Sequence, residues 1–472
     1  MSPSSTPLIR SPSLPSTPAV ELPLPSLLAQ MAIEFQQYRH DEDHHHHAHH
    51  HDTCVNELED IKREVRADGD KPFLTDRNVL RQLVEKKMKR KVVLVRFLSS
   101  GTFHKAFIVQ LDDGREIVAR IARRFMPTLK TESEVATINY LREHTNIPVP
   151  YIYHFNSNPY NKLGGEYIFM SKAPGEPLSH FYSHMSTQSK HALLKNLASL
   201  LIPLFAHRFA QTGSLYQNHN GSYIVGPMIS WPFFGEGRGE HAHLDRGPWP
   251  TETAYVKACA QREINGVKKE TQGRIANPHR PHLPPESRRT AVNSDDESSE
   301  ESEDSSEEDE DFYADYRRTQ RASLLVAHNL ARVQSCEADM NWFVEYMTVG
   351  LGLDAADPEF APFSLLLHDL SVNNIFVDPE EPSKITCIID FESTTVRPLW
   401  HCAQLPAFLA SEPNSPEAEF YRREVGKMGE HGERWVRGER ERAAWRRAHK
   451  VIEWDGWEEG LVQTIFAENR SE

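Results

Sequence analysis

Two short apolar runs, Ile375–Val377 and Ile385–Ile389, lie inside the segment from Leu366 to Trp400, which reads LLHDLSVNNIFVDPEEPSKITCIIDFESTTVRPLW. They read as a pair of short strands joined by the Asp/Pro/Glu-rich turn between them. Asp369 then sits on a tight loop before the pair, Asn374 follows five residues later, and Asp390 ends the second strand. A loop carboxylate can accept a proton. An amide oxygen and a second carboxylate can hold Mg²⁺, a hard cation that keeps several waters and asks for only one or two protein carboxylates. Phosphoryl transfer needs such a set, because there the protein mainly positions groups and neutralises charge. The alternative is an Asp/Asn-rich hairpin corner whose side chains serve only turns and caps.

The rest of the composition narrows the class. A chain of 472 residues with 39% apolar residues has material for more than one domain, whereas 31 prolines and a mean hydropathy of -0.58 mark parts that pack no core. The net charge of -15 is local: twelve acidic residues and no basic one lie between Asp295 and Asp311, leaving -3 elsewhere. Nothing forms the basic stripe a nucleic-acid partner would need. Five cysteines at 54, 259, 336, 387 and 402 contain no C-x-x-C pair, which fits a reducing, cytoplasmic setting and neither a disulfide framework nor a zinc site. No run reaches 18 apolar residues, so no membrane span is expected.

Along the chain, residues 1–60 read as a disordered N-terminal region, Ser/Pro-rich at first and then carrying the histidine tract His44–His51, a low-complexity run. A helix is expected from Thr75. Strands are expected at Val92–Leu98, Ala106–Leu111 and Glu116–Ile121, the last two joined by the hairpin signal Asp112-Asp113-Gly114. Thr131–Glu143 has helical period and Tyr167–Ser171 reads as another strand, giving a small sheet with one helix against it. Residues 186–210 read as helix broken at Pro203, 213–250 as a long ordered loop, and 318–350 as helix again. Residues 270–312 read as a disordered acidic insertion. Its Ser298, Ser299, Ser302, Ser305 and Ser306 lie among acidic residues, a context that acidophilic kinases accept.

Kinases place a base and a metal ligand on one loop as D-x-x-x-x-N and a second metal ligand in D-F-G. Here the pattern is D-L-S-V-N-N followed by D-F-E, which makes Asp369 the base, Asn374 a metal ligand and Asp390 the main metal ligand. The N-terminal half matches in four places. Ser100, Gly101 and Thr102 occupy the place of a phosphate-covering loop, although one glycine fits a plain turn as well. Arg120 stands where the strand lysine belongs and can pair with phosphates bidentately. Glu134 would orient that cation, but Thr131-x-x-Glu134 also spells a capping box. Met170 and Lys172 lead into Ala-Pro-Gly175, as a nucleotide-holding hinge would.

With S-E-V-A-T-I-N-Y-L-R-E-H-T-N-I-P-V-P (133–150), G-S-L-Y (213–216), V-G-P-M-I-S (225–230) and L-P-A-F-L (405–409), these motifs resemble the fungal branch of the aminoglycoside-phosphotransferase-like family. The resemblance implies an α+β, two-lobed protein-kinase-like fold: a small antiparallel-sheet N-lobe with one main helix over 72–172, and a mostly helical C-lobe over 173–269 and 313–472. It implies ATP and Mg²⁺ as cofactors and a small-molecule hydroxyl as acceptor, with a pseudokinase as the rival reading. Two positions depart from the pattern. Leu367 replaces the histidine usual two residues before the base; if its loss has loosened the loop, Leu367→His is expected to raise activity, provided the pocket has room for an imidazole and a partner for its N–H. Glu392 stands in place of the glycine, which speaks against a protein kinase.

Overall fold

A computed structural model describes residues 49–68, 73–235, 243–271, 330–353, 363–453, 457 and 460–469. The acidic insertion with its serines and residues 1–48 lie outside these, apart from the end of the insertion's flank at 270–271, which is helical. Helix α1 (His49–Asp68) begins within the region expected to be disordered up to residue 60, and the last three histidines of the tract are part of it. Residues 63–472 form one compact unit.

Helix α2 (Arg77–Met88) starts two residues later than expected because Asp76 caps it, accepting from Asn78 N at 2.9 Å and Val79 N at 3.0 Å. Strands β1 (Val92–Ser100), β2 (His104–Leu111) and β3 (Glu116–Ala122) follow. Gly114 turns the β2–β3 hairpin at φ 80°, a conformation glycine adopts without a Cβ penalty. Helix α3 (Leu129–His144) crosses behind the sheet, and β4 (Ile152–Asn156) and β5 (Tyr167–Ser171) complete it. The sheet is antiparallel in the order β1-β2-β3-β5-β4. The edge strand β4 has no counterpart in the sequence reading. Its residues are at most partly buried, so it lacks the apolar run that marked its neighbours.

The chain then passes Gly175, which has φ 86° and lies so close to Val377 O that a Cβ there would clash with the carbonyl. Strand β6 (Glu176–Pro177) follows, and α4 (Thr187–Leu201) runs into a 3₁₀ turn at Ile202–Ala206 holding Pro203, as expected. The stretch expected to be one long loop instead contains the hairpin β7 (Ser214–Gln217) and β8 (Tyr223–Gly226) and a helical turn at Trp231–Phe234. Each element is only four residues, too short for a periodicity to register. Helix α5 (Glu252–Thr271), a helix over 330–345 and its π-turn Tyr346–Gly350 precede the expected strand pair.

That pair is β10 (Ile375–Val377) and β11 (Ile385–Ile388). It follows β9 (Phe363–Leu366) and extends β6 into a three-stranded sheet. β9 pairs with β12 (Thr395–Pro398), and helices α6 (Pro416–Gly426), α7 (Gly429–Glu441), α8 (Ala443–His449) and α9 (Leu461–Asn469) close the lobe. Leu367, Leu370, Ile375, Val377, Ile388 and Phe391 pack in one core with Leu193 and Leu197 of α4 and with Ile138 and Leu141 of α3. Burying these side chains fixes the loop and strand ends that carry Asp369, Asn374 and Asp390. The architecture is therefore α+β and two-lobed, with a small antiparallel N-lobe sheet and a helical C-lobe.

Candidate active site

Asp369 and Asn374 meet on the loop before β10. Asn374 Nδ2 donates to Asp369 Oδ2 at 3.0 Å and to its carbonyl at 3.1 Å. The β10–β11 register sets Ile375 opposite Ile388, and Ile389 N donates to Asn374 O at 2.9 Å, so Asp390 leaves β11 beside Asn374. Asp390 has φ 70°, in the left-handed region that non-glycine residues seldom occupy. Its neighbours must hold it there.

Those neighbours come from the N-lobe. Arg120 Nη1 donates to Glu134 Oε1 at 2.5 Å, and Nη2 lies 3.1 Å from Asp390 Oδ1 and 3.5 Å from Glu392 Oε2. Glu134 is thus engaged with Arg120. The capping-box reading fails because α3 begins at Leu129, putting Thr131 inside the helix and not at its cap. Burial alone would lower the Arg120 pKa. The Glu134, Asp390 and Glu392 carboxylates more than offset that and hold it above its ordinary value. Burial pushes the Glu134 carboxyl up to about 7, against the pull of Arg120 and Lys130. It also raises Asp390, again opposed by Arg120.

Three residues complete the arrangement: His104 and Lys130, which carried no functional reading, and Glu392, noted only for replacing the glycine of D-F-G. Lys130 Nζ and His104 Nδ1 each lie 2.6 Å from Glu392 Oε2. Arg120 Nη2 lies 3.0 Å from the same Nδ1 and Lys130 Nζ 3.5 Å from Nε2, so both cations crowd the ring. Burial, with Lys130 and Arg120 adding to it, lowers the His104 pKa to about 3 and keeps the imidazole neutral. Despite its burial, Glu392 is held well below the usual carboxylate range by His104, Lys130 and Arg120. Lys130 lies four residues before Glu134 and therefore on the same face of α3, a spacing that could have drawn attention to it.

Ser100, Gly101 and Thr102, expected to cover phosphates, lie on a turn anchored from behind. Ser100 Oγ donates to Asp68 Oδ1 at 2.8 Å and accepts from Arg123 Nη2 at 2.7 Å, while Arg123 Nε donates to Gly101 O at 3.1 Å. Gly101 N reaches His104 O at 2.8 Å, and a Cβ on Gly101 would find only ordinary contact, so the turn does not require glycine. Thr102 is exposed at its tip. Asp68 also binds the fully buried Lys105 at 2.7 Å, which pairs with Glu64 at 2.8 Å. At the hinge, Met170 is buried with Val135 and Ile168. The Lys172 ammonium is drawn to Glu116 at 2.6 Å, on the exposed side of the sheet.

Leu367 is 8% exposed, in a lining of Leu204, Leu365, Leu370, Leu405 and Tyr421. His368, Cys402 and Gln404 line the same pocket, so an imidazole at 367 would lose its water and depend on one of these or on Tyr421 for a partner. His368 points outward beside Asp369. Behind β12 lies a second polar cluster. His449 Nδ1 is 3.3 Å and His401 Nε2 3.9 Å from Glu453 Oε1, and Tyr255 OH contacts His449 Nε2 at 2.8 Å. Arg397, 3.7 Å from Glu453, already balances its charge, so the cluster anchors the last helices to β12 without calling for a metal.

The chain is similar to several known proteins. A subtelomeric hrmA-associated cluster protein of Aspergillus fumigatus is 26% identical over 365 residues, covering 70% of this chain and 64% of the relative. The chain therefore spans less than two thirds of that relative's length. The mitochondrial protein "altered inheritance of mitochondria protein 9" of Yarrowia lipolytica is 24% identical over 41% of this chain and 39% of its own. Among solved structures, a streptomycin–ATP ternary complex of the aminoglycoside phosphotransferase APH(2")-IIa covers 85% of this chain and 98% of its own at 12% identity, with a TM-score of 0.42. Residues 94–401, which include every site residue named above except those of the α1 and C-terminal anchors, match the phosphotransferase enzyme family APH, and the chain belongs to that family.

Proposed function

We propose that the chain is an ATP- and Mg²⁺-dependent phosphotransferase acting on a hydroxyl group of a small molecule. The observation that carries this reading is the convergence of Asp369, Asn374 and Asp390 at one end of the β10–β11 pair, with Arg120 between Glu134 and Asp390. The donor set suits Mg²⁺. With its nitrogen spent on Asp369, Asn374 offers the amide oxygen, and the Asp390 carboxylate beside it remains 31% exposed. Bound Mg²⁺·ATP would supply the phosphoryl group and neutralise its charge. In this reading Asp369 orients the acceptor hydroxyl and takes its proton. Arg120 turns from Asp390 to the phosphates, the loop at Ser100, Gly101 and Thr102 covers them, and the backbone at Met170 and Lys172 holds the base. A cytoplasmic location is part of the proposal. It draws on Cys259, Cys387 and Cys402, which form no disulfide.

The pseudokinase reading draws on a different observation: Arg120 already occupies Asp390, and Leu367 replaces a histidine. One experiment separates the two. ATP consumption is measured for wild type and Asp369→Ala over a panel of hydroxyl-bearing metabolites at saturating Mg²⁺. The enzyme reading expects an acceptor whose phosphorylation falls on the order of 10²–10⁴-fold in the variant. Equal rates for both proteins on every acceptor would favour the binding module.

A further inference from the structure

We propose that Glu392 is a positioning residue: clamped by Lys130 and His104 of the N-lobe, it holds the Asp390 loop in its metal-binding conformation. The inference rests on the phosphotransferase reading and concerns a position where the D-F-G pattern carries a glycine. Glycine lets such a loop turn over. A carboxylate with bound partners does not.

Three N-lobe groups converge on one Glu392 oxygen: Lys130 Nζ at 2.6 Å from α3, His104 Nδ1 at 2.6 Å from β2, and Arg120 Nη2 at 3.5 Å from β3. Lys130 is 2% and His104 7% exposed, so neither has water as an alternative partner. The Lys130 ammonium also lies 5.0 Å from the centre of the Phe103 ring, which closes it in from the loop side. Between Glu392 and Asp390, Phe391 is 2% exposed in the C-lobe core. The loop is therefore fastened on both sides of Asp390: by Ile389 N on Asn374 O at 2.9 Å before it, and by the Phe391 ring and the Glu392 clamp after it. This accounts for a non-glycine residue at φ 70°. An unfavourable backbone conformation persists only where its surroundings over-determine it. The clamp also joins the lobes, since its acceptor belongs to the metal loop and its donors to the N-lobe sheet and helix. Lys130 is too buried to serve as a phosphate ligand itself, and the Glu392 carboxylate is taken up by Lys130 and His104. Their effect reaches the metal through Asp390, as outer-shell partners do elsewhere.

The test uses the full chain with Glu392→Gln, which keeps the shape but not the charge, Glu392→Asp, and Lys130→Met. Amide hydrogen exchange over 388–394 is read without any nucleotide. Binding of a non-hydrolysable ATP analogue is then titrated by calorimetry with and without Mg²⁺. Expected are faster exchange in 388–394 for Glu392→Gln and Lys130→Met, with partial recovery in Glu392→Asp. The Mg²⁺-dependent part of the analogue's affinity should fall roughly 10–100-fold, the usual cost of losing an outer-shell partner, while Mg²⁺-free binding changes little. Unchanged exchange in a folded Glu392→Gln protein would overturn the clamp. Because that readout needs no ligand, failure of the analogue to bind wild type would count against the enzyme reading and leave the exchange result to decide the clamp.

Discussion

Arg120 and Asp390 are paired at 3.1 Å although 270 positions separate them in the chain. The pair joins the central strand of the N-lobe sheet to the loop after β11 in the C-lobe. In the proposed enzyme, Mg²⁺ and the guanidinium would compete for Asp390.

That competition gives the first prediction. Asp390→Asn removes the carboxylate that Mg²⁺ would use and leaves Arg120 to Glu134 and Glu392. Mg²⁺-dependent nucleotide affinity should fall roughly tenfold or more, since a direct ligand matters at least as much as outer-shell partners worth 10–100-fold. Calorimetry with Mg²⁺·ATP checks it, and unchanged affinity would remove Asp390 from the site.

Glu134 gives the second. A capping residue would tolerate Gln, because Gln serves a capping box. A buried carboxylate 2.5 Å from Arg120 would not. Glu134→Gln should weaken nucleotide binding, and Arg120→Ala with Glu134→Ala should together lose less than the sum of the single losses, with a coupling of about 0.5–3 kcal/mol. Strict additivity would mean the two act apart.

Leu367 gives the third. Leu367→His buries an imidazole beside Leu204, Leu365, Leu370 and Leu405, at a cost on the order of 1–3 kcal/mol unless Gln404, His368 or Tyr421 turns to pair with it. A lower Tm with no gain in activity is expected. A more active variant of equal Tm would mean the pocket can supply a partner.

The fourth concerns acid. His401 and His449 are fully enclosed, and burial holds both below the ordinary histidine value of 6.5. Above that value both states carry them neutral, and their contribution to stability is complete. As pH falls below about 6.5 the unfolded chain binds protons that the folded chain refuses, so stability drops. Glu453, held well below its ordinary 4.5, extends the loss to lower pH. Tm should therefore fall between pH 7.5 and 5.5, and less so in His449→Gln, which keeps a partner for Tyr255 without titrating. A variant with the same pH slope as wild type would show that His449 is not a source of the loss.

Local pattern was enough to find Asp369, Asn374 and Asp390. Their spacing and the two apolar runs around them are set within 22 residues, and short-range strand pairing brings them together. The same holds for β1 to β3, α3 and β5, whose alternation or period reports a buried face directly. Sequence could not decide between capping and ion pairing for Glu134, because both use the same side chain at the same position. The choice was made by where α3 begins, which depends on the strained turn at Met126 and Thr128, with φ of 47° and 72°. Nor could it find the Glu392 clamp, since His104, Lys130 and Glu392 are separated by 26 and 262 residues and each alone resembles an ordinary surface charge. Charges become partners only when two lobes close on each other and shut out water, and that exclusion belongs to the tertiary structure.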